Sequence, residues 1–270
     1  MFSSFSDIIT LIFLGFAFVY PFFLWITPLR TIDNGFYRFN LGMCCIVGAI
    51  GGTTFHFLNP DFVSEIYLWV WFGAIMSITA IYWNSNHINN IVITSIAIFG
   101  IVTMFQVVND LLSKELIYTP DFYPYGVWFI VLLGSAITAA VFFAMILGHW
   151  YLNVVALPIK LLKKATLVMW VLLFIRTIWD VLFISIDSFV DSFGISHSIW
   201  VYMLQFEGFL LLVAFFMGNI VPIVLNIFIW NTLKLQATQS ATGLLYVSVL
   251  SILFGDLLYK YYLLQYGFLL

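Results

Sequence analysis

Residues 126–152 read GVWFIVLLGSAITAAVFFAMILGHWYL, 27 positions without a single Asp, Glu, Lys or Arg. A helix of that length rises about 40 Å, more than the about 30 Å of hydrocarbon in a bilayer. A helix also closes all of its backbone hydrogen bonds within the segment, as lipid demands of a chain that crosses it. Comparable apolar runs cover 8–29, 41–58, 66–83 and 90–109 before this stretch, and 165–186, 199–231 and 241–263 after it. The expectation is an all-α integral membrane protein, one polytopic domain over residues 1–270 with eight transmembrane helices.

Composition excludes the alternatives. The 270 residues are 64% hydrophobic and 8% charged, against about 25% charged in soluble chains, and the mean hydropathy is +1.11. A water-soluble globule is excluded, because 21 charged side chains cannot cover its surface. The net charge of −3 argues against nucleic acid, which takes a basic stripe. Cys44 and Cys45 are adjacent in an apolar run and read as reduced packing residues. The first run lacks a basic leader and a small-residue cleavage site, and it ends in Trp25, Pro28 and Arg30, so it reads as a retained span.

Short cytoplasmic connections collect Lys and Arg. With the N-terminus outside, the inner connections carry Arg30, Arg38, Lys160, Lys163, Lys164 and Lys234, and the outer ones carry Lys114 alone. Both termini are therefore expected on the outer, non-cytoplasmic side. The run from Ile199 exceeds one simple crossing, and Gly218, Asn219 and Pro222 suggest a kink within it.

Ionisable groups inside spans are expensive and ask for a partner or a purpose. Arg176 and Asp180 stand at i, i+4 on the sixth span, and Asp256 and Lys260 repeat that spacing on the eighth. Glu207, about 12 Å below the outer surface on a helix entered at Ile199, has no opposite charge in its own helix. It must be protonated, pair with Arg176 across helices, or face water. Glu207 with Arg176 is the expected catalytic pair, and Asp180, Asp256 and Lys260 form the expected ion or proton site. The competing reading is that the pairs only neutralise one another and fix helix rotation.

His149 and His56 are the candidate cofactor ligands. A bis-histidine haem needs two imidazoles at matching depth on facing helices, and these two lie toward opposite sides of the membrane. His87 sits in the polar turn of residues 84–90, and His197 reads as solvated. A quinone, held by aromatics and a few polar groups, is weighed ahead of haem b, and no metal site is expected. The aromatic 20% of the chain reads mainly as interfacial belts, including Trp69, Trp71, Trp83, Trp128, Trp200, Tyr259, Tyr261 and Tyr262.

The sequence has no Walker loop, His-Glu-x-x-His, Gly-x-Ser-x-Gly, Cys-x-x-Cys or arginine ladder. ATP-driven pumping, zinc proteolysis, covalent c-type haem and voltage sensing are disfavoured. Three functions remain: an integral subunit of a larger electron- or proton-transfer complex with a quinone-facing or proton-accepting pocket, a secondary transporter with an intramembrane carboxylate site, and a structural or assembly subunit. Besides the bilayer, the expected partners are membrane or peripheral redox subunits. The expected location is the bacterial cytoplasmic membrane, with an organellar inner membrane as the alternative.

Overall fold

The computed structural model describes residues 2–85, 87–115, 123–154, 157–190, 196–206 and 208–270. The first apolar run folds as α1 (Phe2–Val19) and then tightens into a 3₁₀ turn over Tyr20–Ile26, where Pro21 contributes no backbone N–H. There follow α2 (Asn34–Phe57), α3 (Phe62–Asn84), α4 (Asn90–Glu115), α5 (Tyr123–Asn153) and α6 (Lys160–Ile186). A two-stranded antiparallel ladder, β1 (Ser188–Val190) with β2 (Ser196–Ser198), pairs Ser188 with Ser198. It leads into a short α7 (Ile199–Met203). The next crossing is broken: α8 (Phe209–Phe215), a π turn over Phe216–Ile220, and α9 (Val221–Lys234). The last helix is α10 (Thr238–Tyr266).

Among the described residues, eight segments are long and apolar enough to cross a membrane: 5–26, 34–57, 62–84, 90–112, 125–153, 160–186, 209–234 and 238–266. The protein is thus a multi-pass helical membrane bundle, and an even number of crossings places both termini at one end. The run expected as one helix from Ile199 is divided. Leu204 N–H bonds the Val201 carbonyl at 3.2 Å and Gln205 N–H the Tyr202 carbonyl at 3.0 Å. These tight turns end α7, and the crossing helix begins only at Phe209. The 12 Å depth expected for Glu207 requires an unbroken helix, and Glu207 itself lies outside the described residues.

The helices differ in how much lipid they meet. α1 and α5 are the most enclosed and α10 follows them, while α3 and α6 turn most of their surface outward. Polar side chains pin the end that the charge bias turns inward. The Tyr20 hydroxyl donates to Asn40 and the Tyr37 hydroxyl to the Thr27 carbonyl. Arg38 reaches the Tyr82 and Ser85 carbonyls at 3.2 and 3.1 Å, a cation on orphan carbonyls at the C-terminal end of α3. At the outer end, the Asp61 N–H donates to both Asp110 carboxylate oxygens at 3.2 Å. α10 stops at Gly267 in the left-handed conformation (φ 72°), and the following residues fold back so that Trp179 Nε1 donates to the Leu269 carbonyl at 2.7 Å.

Candidate functional site

The π turn creates the site. Pro222 cannot donate a hydrogen bond to the preceding turn, and the ladder widens just before it, as such bulges do. The Ser251 hydroxyl of α10 takes up the Met217 carbonyl at 2.6 Å. α10 can approach this closely because glycines face each other. A Cβ on Gly255 would lie 3.1 Å from the Met217 carbonyl carbon and nearer still to the Gly218 backbone. The widened turn aims Asn219, fully buried, at α6.

There the Asn219 amide donates to Asp180 Oδ2 at 2.6 Å and to the Tyr259 hydroxyl oxygen at 2.9 Å. The Tyr259 hydroxyl itself donates to Asp180 Oδ2 at 2.8 Å. Arg176 Nε lies 3.1 Å from Asp180 Oδ1, its Nη1 donates to the Ile130 carbonyl at 3.3 Å, and its guanidinium covers the Tyr259 ring at 4.3 Å. Arg176 Nη2 and Asn219 Oδ1 have no partner among the described residues.

The second pair adjoins the first. Lys260 Nζ bonds Asp256 Oδ2, and the same oxygen receives the Thr138 hydroxyl of α5 at 3.5 Å. Gly134 admits this arrangement: a Cβ there would stand 2.6 Å from Asp256 Oδ1 and 3.6 Å from Arg176 Nη1. Arg176, Asp180, Asp256 and Lys260 are all buried. The two cations match the two carboxylates, so the cluster is formally neutral, as burial in hydrocarbon requires.

Two cavities of about 10 Å³ flank the cluster, each with room for about one water. One lies among Arg176, Asp256, Tyr259, Lys260 and Leu270, and the other among Gly134, Arg176, Gly218 and Asp256. The end of the chain closes over the first, with Phe268 stacked parallel to Tyr262 at 6.1 Å. A separate apolar cleft of about 190 Å³ opens between α1, α2, α5 and α10. Phe13, Phe16, Met43, Thr138 and Phe142 are among its lining residues.

The structure therefore brings together four of the expected residues, Arg176, Asp180, Asp256 and Lys260. It pairs Arg176 with Asp180 within α6; whether Glu207 approaches lies outside the described residues. The histidines stand apart from the cluster. His56 is exposed and bonds Glu65 at 2.5 Å, and Glu65 also receives Trp69 Nε1 at 3.2 Å. His149 is exposed, with its Nδ1 3.4 Å from the Tyr246 hydroxyl. They end α2 and α5 at opposite ends of the bundle and share no site. No group of three metal-ligating side chains occurs among the described residues.

Sequence reasoning misses Tyr259, Asn219 and Thr138. Tyr259 reads as part of the aromatic belt, yet it is 4% exposed and central to the cluster. Trp71 likewise belongs to the core, edge-on to Phe18 at 4.5 Å, whereas Trp69, Trp83 and Trp200 are exposed. The signal for Asn219 is its place three residues before Pro222, where a broken ladder turns a polar side chain inward. No protein-family model, curated protein or solved structure matches the chain.

Proposed function

We propose that this protein is the integral membrane subunit of a larger electron- or proton-transfer complex, and that it takes up the proton of a quinol-type ring. The observation that carries this reading is Thr138, which lines the apolar cleft and donates to Asp256. The cleft's surface is apolar, so a ring there would meet the Thr138 side chain and reach its hydroxyl, and the buried carboxylate behind it, once that side chain turns. Oxidation of a quinol releases two electrons and two protons; the electrons would pass to a redox centre of a partner subunit, and the two protons would leave in turn through Asp256. Asp256 is the general base reached through Thr138. Once Asp256 is protonated, Lys260 holds an uncompensated buried charge and releases its own proton; Asp256 then passes the quinol proton to Lys260, which restores the pair for the second proton. Lys260 lies one helical turn nearer the outer end and lines the cavity beneath Leu270, so the proton leaves outward. Arg176, Asp180, Asn219 and Tyr259 hold α6, α9 and α10 in register around this relay.

The test uses the complex isolated from its own membrane. Asp256→Asn and Thr138→Val are expected to assemble normally and to lose most quinol oxidation. Full turnover in an assembled Asp256→Asn complex would overturn the proposal. One observation favours a secondary transporter instead: the crossing broken at the π turn stands at the depth of the charged cluster, as broken helices do in such proteins. In that case the purified chain alone would carry a proton-coupled flux in liposomes, abolished by Asp180→Asn. The existing neutrality weighs against a metal cation there, because each carboxylate already holds a cationic partner.

A further inference from the structure

α6 and α9 meet near the inner end, where Asn226 Nδ2 donates to the Thr166 carbonyl at 3.4 Å. On the lipid side of that contact they leave a groove of about 310 Å³, lined by Leu167, Trp170, Ile227, Trp230 and Asn231. Leu167, Ile227 and Asn231 are exposed and the two tryptophans half-buried. Helical spacing continues both walls into cations. Lys163 precedes Leu167 by four residues and Trp170 by seven, and Lys234 follows Trp230 by four and Ile227 by seven.

α6 begins and α9 ends at this face, so both ammonium groups sit at its watery edge, about 10 Å along the helices from Trp170 and Ile227. Neither makes an ion pair among the described residues. The first turn of α6 holds no acid, and Asp33 is the single acid on the inner connections as the charge bias orients them. The groove thus has an apolar floor, two interfacial indoles, an amide and two cations without counter-charge, arranged at the depths of a lipid's chain, glycerol and phosphate.

We propose that this groove binds an anionic phospholipid of the inner leaflet. An acyl chain lies along Leu167 and Ile227 between the indole rings, and Lys163 and Lys234 hold the phosphate from two helices with Asn231 beside them. The inference does not depend on the function proposed above. Each lysine close to an anionic headgroup favours it about five- to sixfold, so the pair gives a preference of about thirtyfold over a zwitterionic lipid.

The test is native mass spectrometry of the delipidated full chain offered phosphatidylglycerol and phosphatidylcholine in equal amounts. The first bound lipid is expected to be phosphatidylglycerol by about thirtyfold. Lys163→Gln with Lys234→Gln should bring the ratio close to one, while Arg30→Gln, a cation removed elsewhere at the same end, should leave it unchanged. Trp170→Ala with Trp230→Ala should weaken both lipids alike. All of these positions are partly or wholly exposed, and the variants are expected to fold. An unchanged ratio in the double lysine variant, or an equal loss in Arg30→Gln, would overturn the proposal.

Discussion

Replacing Asp180 by Leu removes the centre of the buried cluster, and its cost follows from what the carboxylate holds. Arg176 Nε at 3.1 Å, Asn219 at 2.6 Å and Tyr259 at 2.8 Å all converge on it. The two hydrogen bonds from the neutral Asn219 and Tyr259 donors are worth at least about 0.6 kcal/mol each in a membrane interior. The guanidinium matters more. Arg176 is 3% exposed and would keep only the Ile130 carbonyl and the Tyr259 ring, and stranding one member of a buried pair costs about 3–5 kcal/mol. Asp180→Leu should therefore shift equilibrium unfolding in mixed denaturing micelles by about three to four orders of magnitude, at about 1.4 kcal/mol per tenfold. Arg176→Met alone should cost as much, because it strands Asp180. The double variant Arg176→Met, Asp180→Leu should recover most of the loss, since a neutral pair of similar volume leaves no charge in hydrocarbon. Additive losses, or an Asp180→Leu cost below about 1 kcal/mol, would show that the carboxylate is not the counter-ion the geometry makes it.

Three further outcomes test other parts of the fold. Gly255→Ala places a Cβ against the Met217 and Gly218 backbone, so it should destabilise by about 1–3 kcal/mol through overpacking, read in the same unfolding assay. Gly267→Ala forces an alanine into φ 72° at a cost of about 1–2 kcal/mol. It should loosen the cover of Phe268 and Leu270 and raise the reactivity of Lys260, 3% exposed in the intact fold, toward small amine reagents read by peptide mass spectrometry. Orientation is tested by membrane-impermeant thiol labelling: Ser188→Cys should react from the outer side and Gln239→Cys only after the membrane is opened. Cys44 and Cys45 are buried and give no background.

Most of the crossing pattern is legible in the sequence because length and hydropathy act over some twenty residues, a signal that no local accident erases. The ion pairs are legible for a related reason: i, i+4 neighbours meet on any helix, whatever surrounds it. Sequence reasoning fails where geometry between helices decides. Tyr259 sits three residues after Asp256 among Tyr261 and Tyr262, and nothing in that local pattern distinguishes a belt tyrosine from one whose hydroxyl faces another helix. α10 is apolar on nearly all sides, so its rotation is set by Gly255 against Gly218 and by Ser251 on the Met217 carbonyl. Neither contact has a periodicity to read. The break after α7 escapes notice because Gln205 to Gly208 is too short to interrupt a hydropathy window, although its tight turns are enough to end a helix.

The same interhelical geometry separates the residues that would hold the site from those that would react in it under the proposed relay. Asp180 is gripped by rigid neighbours: an arginine, a tyrosine clamped under that arginine, and an asparagine fixed by the π turn. A group held in that way stays in place. Asp256 has one flexible cation, one long bond from Thr138 at 3.5 Å, and cavities on either side. It is the carboxylate that can lose its partner without stranding an arginine, because a lysine, unlike a guanidinium, can give up its proton when its counter-charge disappears. Exchanging the cation tests this directly. Lys260→Arg keeps the charge at Asp256 but cannot release it, so it should preserve folding and stop proton transfer. Lys260→Gln with Asp256→Asn removes both charges and should also fold and also stop transfer. If Lys260→Arg transferred protons at the full rate, the release step could not belong to Lys260, and the outward path through the cavity beneath Leu270 would fall with it.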